Sequence, residues 1–129
     1  MRVPALPREG VRYLDNAREI LRHVAVERDI YLDRKPVWEA MGTAYLAVLE
    51  AINEALLRRG VTKKKLPRSV DAYRAALERH LNRDGKLMRE FESLYDLLHL
   101  AGYDEGSIYN CKVVKHALAA AQTFIERVA

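Results

Sequence analysis

Three side chains that could do chemistry lie four residues apart near the end of the chain: Tyr95, His99 and Tyr103. Glu92 precedes them, so on a helix Glu92, Tyr95 and His99 line one shoulder of the apolar face. A histidine at such a shoulder can act as a general base or contact an RNA backbone, with the carboxylate and phenol orienting its ring. The same pattern is typical of a helix edge where Tyr and His bury their rings and keep their polar tips hydrated. The four residues are therefore catalytic candidates, and packing is the alternative interpretation.

A metal centre is not predicted. Asp96 and His99 have the i, i+3 spacing of one carboxylate–histidine pair, whereas a dimetal bundle needs two such pairs and further inward-facing carboxylates. The residues three positions before the other histidines are all apolar. The single Cys111 excludes a thiolate-rich site, and the glycines match no phosphate-loop or dinucleotide-binding motif. We expect no metal and no cofactor.

A second candidate site is the basic segment RRGVTKKKLPR, residues 58–68. Its cations could hold the phosphates of a nucleic acid with salt-dependent affinity. Because no aromatic residues are interleaved with the cations, the segment also fits an ordinary hydrated surface loop. The nucleic-acid-binding candidates are Arg58, Arg59, Lys63, Lys64, Lys65 and Arg68.

Aromatic residues suggest a third possibility, a small-molecule pocket between helices lined by Trp38, Tyr45 and Tyr95. Aromatic side chains at helical spacing are, however, more often core residues. Cys111 falls on the core side of the last helix, so it is expected to be a small buried hydrophobe, and His116 is expected on the surface.

The composition is that of one helical domain spanning residues 1–129, with residues 1–8 as a flexible arm. Half of the residues are apolar and 31% are charged, and glycines (6) and prolines (4) are scarce, which favours helices throughout. The net charge of +4 falls short of the concentrated charge of a dedicated nucleic-acid binder. No segment resembles a signal peptide, and none approaches the roughly 20 apolar residues of a membrane span. A cytoplasmic protein without membrane association is expected.

Apolar spacing and capping residues predict five helices. The first covers residues 9–27 and a bend covers 29–34; the second has Pro36 in its first turn and ends at Gly60; Ser69 caps the third, which breaks at 82–85; the fourth covers 86–101, with Gly102 as its cap and a turn at 103–106; Ser107 caps the last. The apolar faces expected to be buried are, on the second helix, Val37, Met41, Ala44, Tyr45, Val48, Ile52 and Leu56; on the fourth, Leu87, Phe91, Leu94 and Leu98; and on the last, Val114, Ala117, Leu118, Ala121, Phe124 and Ile125. An all-α, up-down four-helix bundle with an additional short helix is the predicted architecture.

Several segments carry a family resemblance. The second helix, WEAMGTAYLAVLEAINEALLRRG, and the last, VVKHALAAAQTFIERV, resemble those of HEPN domains (higher eukaryote and prokaryote nucleotide-binding). A small bacterial family of uncharacterised HEPN-like helical bundles is more closely similar, in the segments YLDNAREIL, YLDRKPVWEAMGTAYLAVLEAI, SVDAYRAAL and LYDLLHLAGYDEG. The resemblance covers nearly the whole chain and implies a HEPN-like fold and homodimerisation.

HEPN ribonucleases carry an arginine followed, after four to six residues, by a histidine near the start of the last main helix. Here His99 and His116 have no arginine at that offset. Arg18–His23 and Arg74–His80 fit the spacing, but they fall on the first and third predicted helices.

The leading hypothesis is therefore a non-catalytic, homodimeric HEPN-like module that acts through a protein partner or as an accessory. The alternative is a HEPN variant that binds or cleaves RNA, using Tyr95, His99 and Tyr103 with the basic segment on the phosphates.

Overall fold

The longest element, α2, spans Arg34–Arg58, and local sequence fixes both of its ends. The Asp33 side chain accepts a hydrogen bond from the Lys35 N–H at 3.2 Å, which caps the first turn. Pro36 lies in that turn, where its missing N–H costs nothing. Beyond the other end, Gly60 adopts a φ of +91°, the left-handed conformation predicted for the cap.

Helix α2 is also the centre of the core. All seven residues of its predicted apolar stripe are buried: Val37, Met41, Ala44, Tyr45, Val48, Ile52 and Leu56. By length and mean hydropathy α2 could cross a membrane, a property that the core helices of globular folds share. The residues of its apolar stripe are buried against other helices of the same chain, as expected of a core helix.

The computed structural model describes residues 8–81 and 85–129. The elements are α1 (Arg8–Arg22), β1 (Val26–Glu27), β2 (Ile30–Tyr31), α2, a 3₁₀ turn (Lys63–Lys65), α3 (Val70–Ala76), which continues as a short π-helix (Leu77–Leu81), α4 (Lys86–Leu94), which continues as a long π-helix (Tyr95–Asp104), and α5 (Cys111–Val128). Helix α2 packs against α1, the long π-helix and α5, while α5 also packs against α1 and α4. The described chain is mostly helical, as predicted.

The first predicted helix is too long. Helix α1 ends at Arg22, and strands β1 and β2 pair antiparallel, with Val26 opposite Tyr31. The bend predicted for 29–34 is thus partly a hairpin. Its two turn residues, Arg28 and Asp29, have φ values of +50° and +65°, the left-handed pair that a two-residue hairpin needs. The hairpin is held from outside, because the Cys111 N–H donates to the Asp29 carbonyl at 2.6 Å.

The prediction for the fourth helix is wrong at its carboxyl end. Gly102 does not cap it, and residues 103–106 do not form a separate turn, because the long π-helix runs to Asp104. The Glu105 N–H still donates to the carbonyl of Leu100, five residues back, at 2.8 Å. Gly102 is buried against Met41 of α2, so tertiary contact rather than local capping carries the helix onward.

Of the caps predicted for the remaining helices, one is confirmed and one is wrong. Ser69 caps α3 as predicted, its hydroxyl accepting from the Ala72 N–H at 3.1 Å. Ser107 is not the cap of α5; the Asn110 side chain is, accepting from two backbone N–H groups, while the Ser107 hydroxyl donates to the Ala101 carbonyl. Of the break predicted at 82–85, residues 82–84 lie outside the described residues. So does the predicted arm except for Arg8, which begins α1.

Most of the predicted core is confirmed. Cys111 is buried, His116 is exposed, and Phe91 and Leu98 are fully buried, although Leu87 is half-buried. The predicted face of α5 is buried throughout: Val114, Ala117, Leu118, Ala121, Phe124 and Ile125.

Replacing Gly102 by alanine tests the close approach of the long π-helix to α2. A Cβ there would lie 2.9 Å from both the Met41 Cβ and the Leu97 carbonyl oxygen, so backbone must shift. We expect Gly102→Ala to lower the free energy of unfolding by about 2 kcal/mol, measured by urea denaturation followed by far-ultraviolet circular dichroism. Asp96→Ala, at an exposed position of the same π-helix, is the control and should change it little. Equal stability of Gly102→Ala and wild type would contradict the packing.

Candidate functional site

The three predicted site residues Tyr95, His99 and Tyr103 lie together in the structure as a column of stacked rings. The His99 ring centroid lies 5.4 Å from that of Tyr95 and 6.1 Å from that of Tyr103, with interplanar angles of 25° and 22°. Tyr45 of α2 completes the column, 4.8 Å from His99 and 5.9 Å from Tyr95. Because i→i+5 hydrogen bonding widens each turn of the π-helix, side chains four residues apart stay on nearly the same side. We call these four residues the aromatic column.

The inner end of the column is fixed by Arg74 of α3. Its Nε and Nη2 donate to the two carboxylate oxygens of Glu92 at 2.5 and 3.3 Å, and Nη1 contacts Asp71 at 2.9 Å. The guanidinium also lies 5.1 Å from the Tyr95 ring centroid, in a cation–π contact. The hydrogen bonds that Arg74 donates to these two carboxylates, chiefly to Glu92, raise the pKa of its guanidinium. Glu92 is thus bound to Arg74 and does not orient His99.

The outer end of the column reaches the surface. Tyr103 is 52% exposed and lies over Gly42, where a Cβ would come within 2.8 Å of the ring. One turn to either side on α2 lie Trp38, 38% exposed, and Leu46, 49% exposed. The Trp38 indole N–H donates to the Gly106 carbonyl at 3.2 Å, which holds the following loop against α2. We call Trp38, Tyr103 and Leu46 the exposed row.

The contacts of His99 are those of a packing residue. Within residues 8–81 and 85–129 it contacts rings and makes no hydrogen bond or ion pair. The same part of the chain contains no group of three or more His, Cys, Asp or Glu side chains able to hold a metal ion. Tyr45 and Tyr95, two of the predicted pocket residues, pack on each other, and the third, Trp38, is held by Gly106. Nothing in these described contacts points to RNA cleavage.

The predicted basic segment divides among different environments. Arg58 pairs with Glu54 at 3.1 Å, and Arg59 donates to the Ala55 carbonyl at 3.3 Å. Lys63, Lys64 and Arg68 are exposed to solvent. Lys65 and Arg59 line a common pocket with Arg79 and His80. The structure thus brings Arg59 and Lys65 of the six cations together in one pocket and pairs Arg58 with a carboxylate instead.

The two arginine–histidine pairs with HEPN-like spacing have separate partners. His23 contacts Glu19 at 3.1 Å, while Arg18 binds Gln122 at 2.5 Å. Arg74 is engaged by carboxylates, whereas His80 lines the pocket near Arg59.

Sequence reasoning missed Gly42 and Leu46 as members of the site. A glycine inside an otherwise apolar helical stripe was the available signal, because it marks a close approach by another element. Leu46 was not recognised because it lies beside the predicted stripe of α2 rather than on it.

Alkaline titration tests the burial of the column. Burial raises the pKa of Tyr45 to about 12, from an ordinary value of 10.0. Tyr31 of β2 is raised to about 12 as well, by burial and by its contact with Cys111. The stabilising contribution of each neutral phenol is complete below pH 10. Between pH 10 and 12 the folded state holds more protons than the unfolded chain, so the free energy of unfolding falls.

We expect Tyr45→Phe to reduce this alkaline decline by roughly 2 kcal/mol relative to wild type, measured by urea denaturation at increasing pH. Tyr31→Phe, which removes the other phenol whose pKa burial raises, should reduce the decline by a comparable amount. Parallel curves for wild type and Tyr45→Phe would show that the Tyr45 phenol is hydrated in the folded protein.

Comparison with known proteins assigns the fold to a family. The sequence matches a family described as a domain of unknown function (DUF5618) over residues 7–129. A solved structure, of a protein of unknown function from Dyadobacter fermentans, is 35% identical to this chain. The similarity covers 93% of this chain and 90% of that one, with a TM-score of 0.77. A search of the curated proteins yields no match.

Neither matching description mentions a HEPN domain. The family match extends from the start of α1 to the end of α5. The chain therefore belongs to the DUF5618 family.

Proposed function

We propose that this chain is a non-catalytic interaction module of the cytoplasm, a HEPN-like four-helix bundle that forms a homodimer through the exposed row. The helix contacts support a bundle: α1 packs on α2, α2 on the long π-helix, α4 on α5, and α5 back on α1. Helix α3 would then be the additional short helix.

The observation that carries the proposal is the exposed row itself. Trp38, Tyr103 and Leu46 are large apolar side chains, each more than a third exposed, and they adjoin one another along α2. Contiguous apolar patches of this kind mark interaction surfaces, whereas singly exposed apolar residues do not. Tryptophan and tyrosine are also the residues most enriched at the energetic centres of interfaces. The rings beneath the row hold it in a fixed shape.

A second copy of this chain is the proposed partner because the charges around the row are self-complementary. Lys35 lies seven residues before Gly42, and Glu50 lies eight residues after it. Neither has an ion-pair partner within the described residues. Two α2 helices crossing antiparallel about a twofold axis at Gly42 would bring Lys35 of each copy towards Glu50 of the other.

Leu46→Lys should convert the dimer to a monomer, because it introduces a charge into the centre of the apolar interface. Light scattering coupled to gel filtration should give wild type a mass near twice 14.8 kDa and the variant a mass near 14.8 kDa. Leu57→Lys is the matched control, since Leu57 is 44% exposed on the same helix about 16 Å further along. It should remain dimeric. Monomeric wild type at micromolar concentration, or a dimeric Leu46→Lys, would overturn the proposal.

Charge exchange tests the antiparallel crossing separately. Lys35→Glu and Glu50→Lys should each weaken the dimer several-fold, because each places like charges opposite one another. The double variant restores opposite charges and should recover most of the affinity, measured by sedimentation equilibrium at low salt. Additive weakening in the double variant would rule out this crossing. The involvement of Leu46 in the interface would still be decided by the mass of the Leu46→Lys variant.

A further inference from the structure

A basic pocket of about 390 Å³ lies where the chain leaves α2 and meets the short π-helix. Arg59, Thr62 and Lys65 line it from the segment after α2, and Arg79 and His80 line it from the short π-helix. The pocket thus brings together two segments that are separated by more than ten residues in the sequence. It lies apart from the exposed row, since it shares no lining residue with it.

Among the described residues, the pocket is lined by cations and by no carboxylate. In the same part of the chain, the side chains of Lys65 and Arg79 have no ion-pair partner. This distinguishes the pocket's cations from five arginines elsewhere on the surface. Arg12, Arg22, Arg58, Arg74 and Arg127 each bind a carboxylate at distances between 2.5 and 3.1 Å. Concentrated unpaired cations in a concave site create a field that attracts an anion.

Local backbone structure orders the first side of the pocket. Gly60, at a φ of +91°, reverses the chain after α2, and the Val61 N–H donates to the Leu56 carbonyl at 3.1 Å. The Lys65 N–H donates to the Thr62 carbonyl at 2.9 Å, which closes the 3₁₀ turn. The Thr62 side chain makes no capping hydrogen bond, so its hydroxyl is free to donate to a ligand.

The carboxyl end of α2 would by itself repel an anion, because its carbonyl groups carry partial negative charge. Arg59 offsets this charge by donating to the Ala55 carbonyl at 3.3 Å. The net attraction for a ligand therefore comes from Lys65 and Arg79, with His80 and Thr62 as further donors. The short π-helix supplies two of these four groups from adjacent positions, and π-helical segments occur frequently at functional sites.

We propose that this pocket binds a terminal phosphate group. A phosphate monoester carries close to two negative charges and three acceptor oxygens, which matches two unpaired cations flanked by further donors. A carboxylate has one charge and two oxygens, so it would leave one cation unmatched. An internal phosphodiester has one charge and two free oxygens, and a bounded pocket suits a chain end better than a continuous backbone. Both a nucleotide and a 5′-phosphorylated RNA end carry this group.

Titration of the full-length protein with inorganic phosphate, followed by amide NMR at constant ionic strength, tests the proposal. Saturable shifts at Gly60, Thr62 and His80 are expected. Lys65→Ala and Arg79→Ala should each weaken the phosphate affinity about fivefold or more. Lys63→Ala is the matched control: it removes the same charge from the same 3₁₀ turn, two residues away, but Lys63 does not line the pocket. It should stay within about twofold of wild type.

Three results would overturn the proposal: no saturable shift at millimolar phosphate, equal weakening by Lys63→Ala and Lys65→Ala, or shifts centred elsewhere. A short RNA bearing a 5′-phosphate, compared with the same RNA bearing a 5′-hydroxyl, separates the terminal group from the backbone. Preference for the phosphorylated end supports the proposal, and equal binding excludes it. Adenosine monophosphate, added alone, shows whether a free nucleotide suffices. Lys65 and Arg79 are exposed, so their replacement by alanine should leave the fold intact, and unchanged circular dichroism confirms that the variants fold.

Discussion

The close approach of the long π-helix to α2 is the constraint on which the rest of the structure depends. Three glycines make it possible, because a Cβ at any of them would overlap the opposite element. Gly42 lies under the Tyr103 ring, Gly102 against Met41, and Gly106 against the Trp38 indole. Gly106 is doubly restricted, since its φ of +60° is also a conformation that other residues rarely adopt. Gly42 lies on α2, Gly102 on the long π-helix and Gly106 in the loop that follows it, so both sides contribute to the close contact.

This close approach aligns α2 antiparallel with the long π-helix and the loop that follows it. We call the resulting series of contacts the ladder. Along α2 the successive contacts are Arg34 on the Tyr109 ring at 4.2 Å, Trp38 on the Gly106 carbonyl at 3.2 Å, Gly42 beneath Tyr103, and Tyr45 on His99 at 4.8 Å. Each step advances about one turn on α2, while the opposite contacts run back from Tyr109 and Gly106 in the loop to Tyr103 and His99 on the long π-helix. The histidine that first suggested catalysis is one rung of this ladder. Its ring adds aromatic contact area, and the half-exposed rungs at the outer end provide the surface on which dimerisation is proposed.

Structural features that depend on neighbouring residues could be predicted from the sequence, whereas features that depend on contacts between distant residues could not. The Ser69 cap, Pro36 in a first turn and the Gly60 terminus follow from the chemistry of single turns, and the stripe of α2 follows from helical periodicity. The long π-helix could not be predicted, because it persists where Gly102 meets Met41, sixty-one positions away in the chain. The hairpin after α1 likewise depends on the backbone of Cys111. For the candidate sites, residue types were informative but partners were not. Glu92 was assigned to His99 but binds Arg74, and the basic pocket needs Arg79 and His80 from another element.

The indole at the start of the ladder has a further consequence. Trp38 is the single tryptophan of the sequence, and its ring rests on the loop that follows the long π-helix. Its fluorescence therefore arises from one place, the junction of that loop with α2. Partial exposure makes the emission wavelength sensitive to any molecule that displaces water there. The protein thus carries an intrinsic optical probe, which reports in one signal both detachment of the loop and occupation of the neighbouring surface.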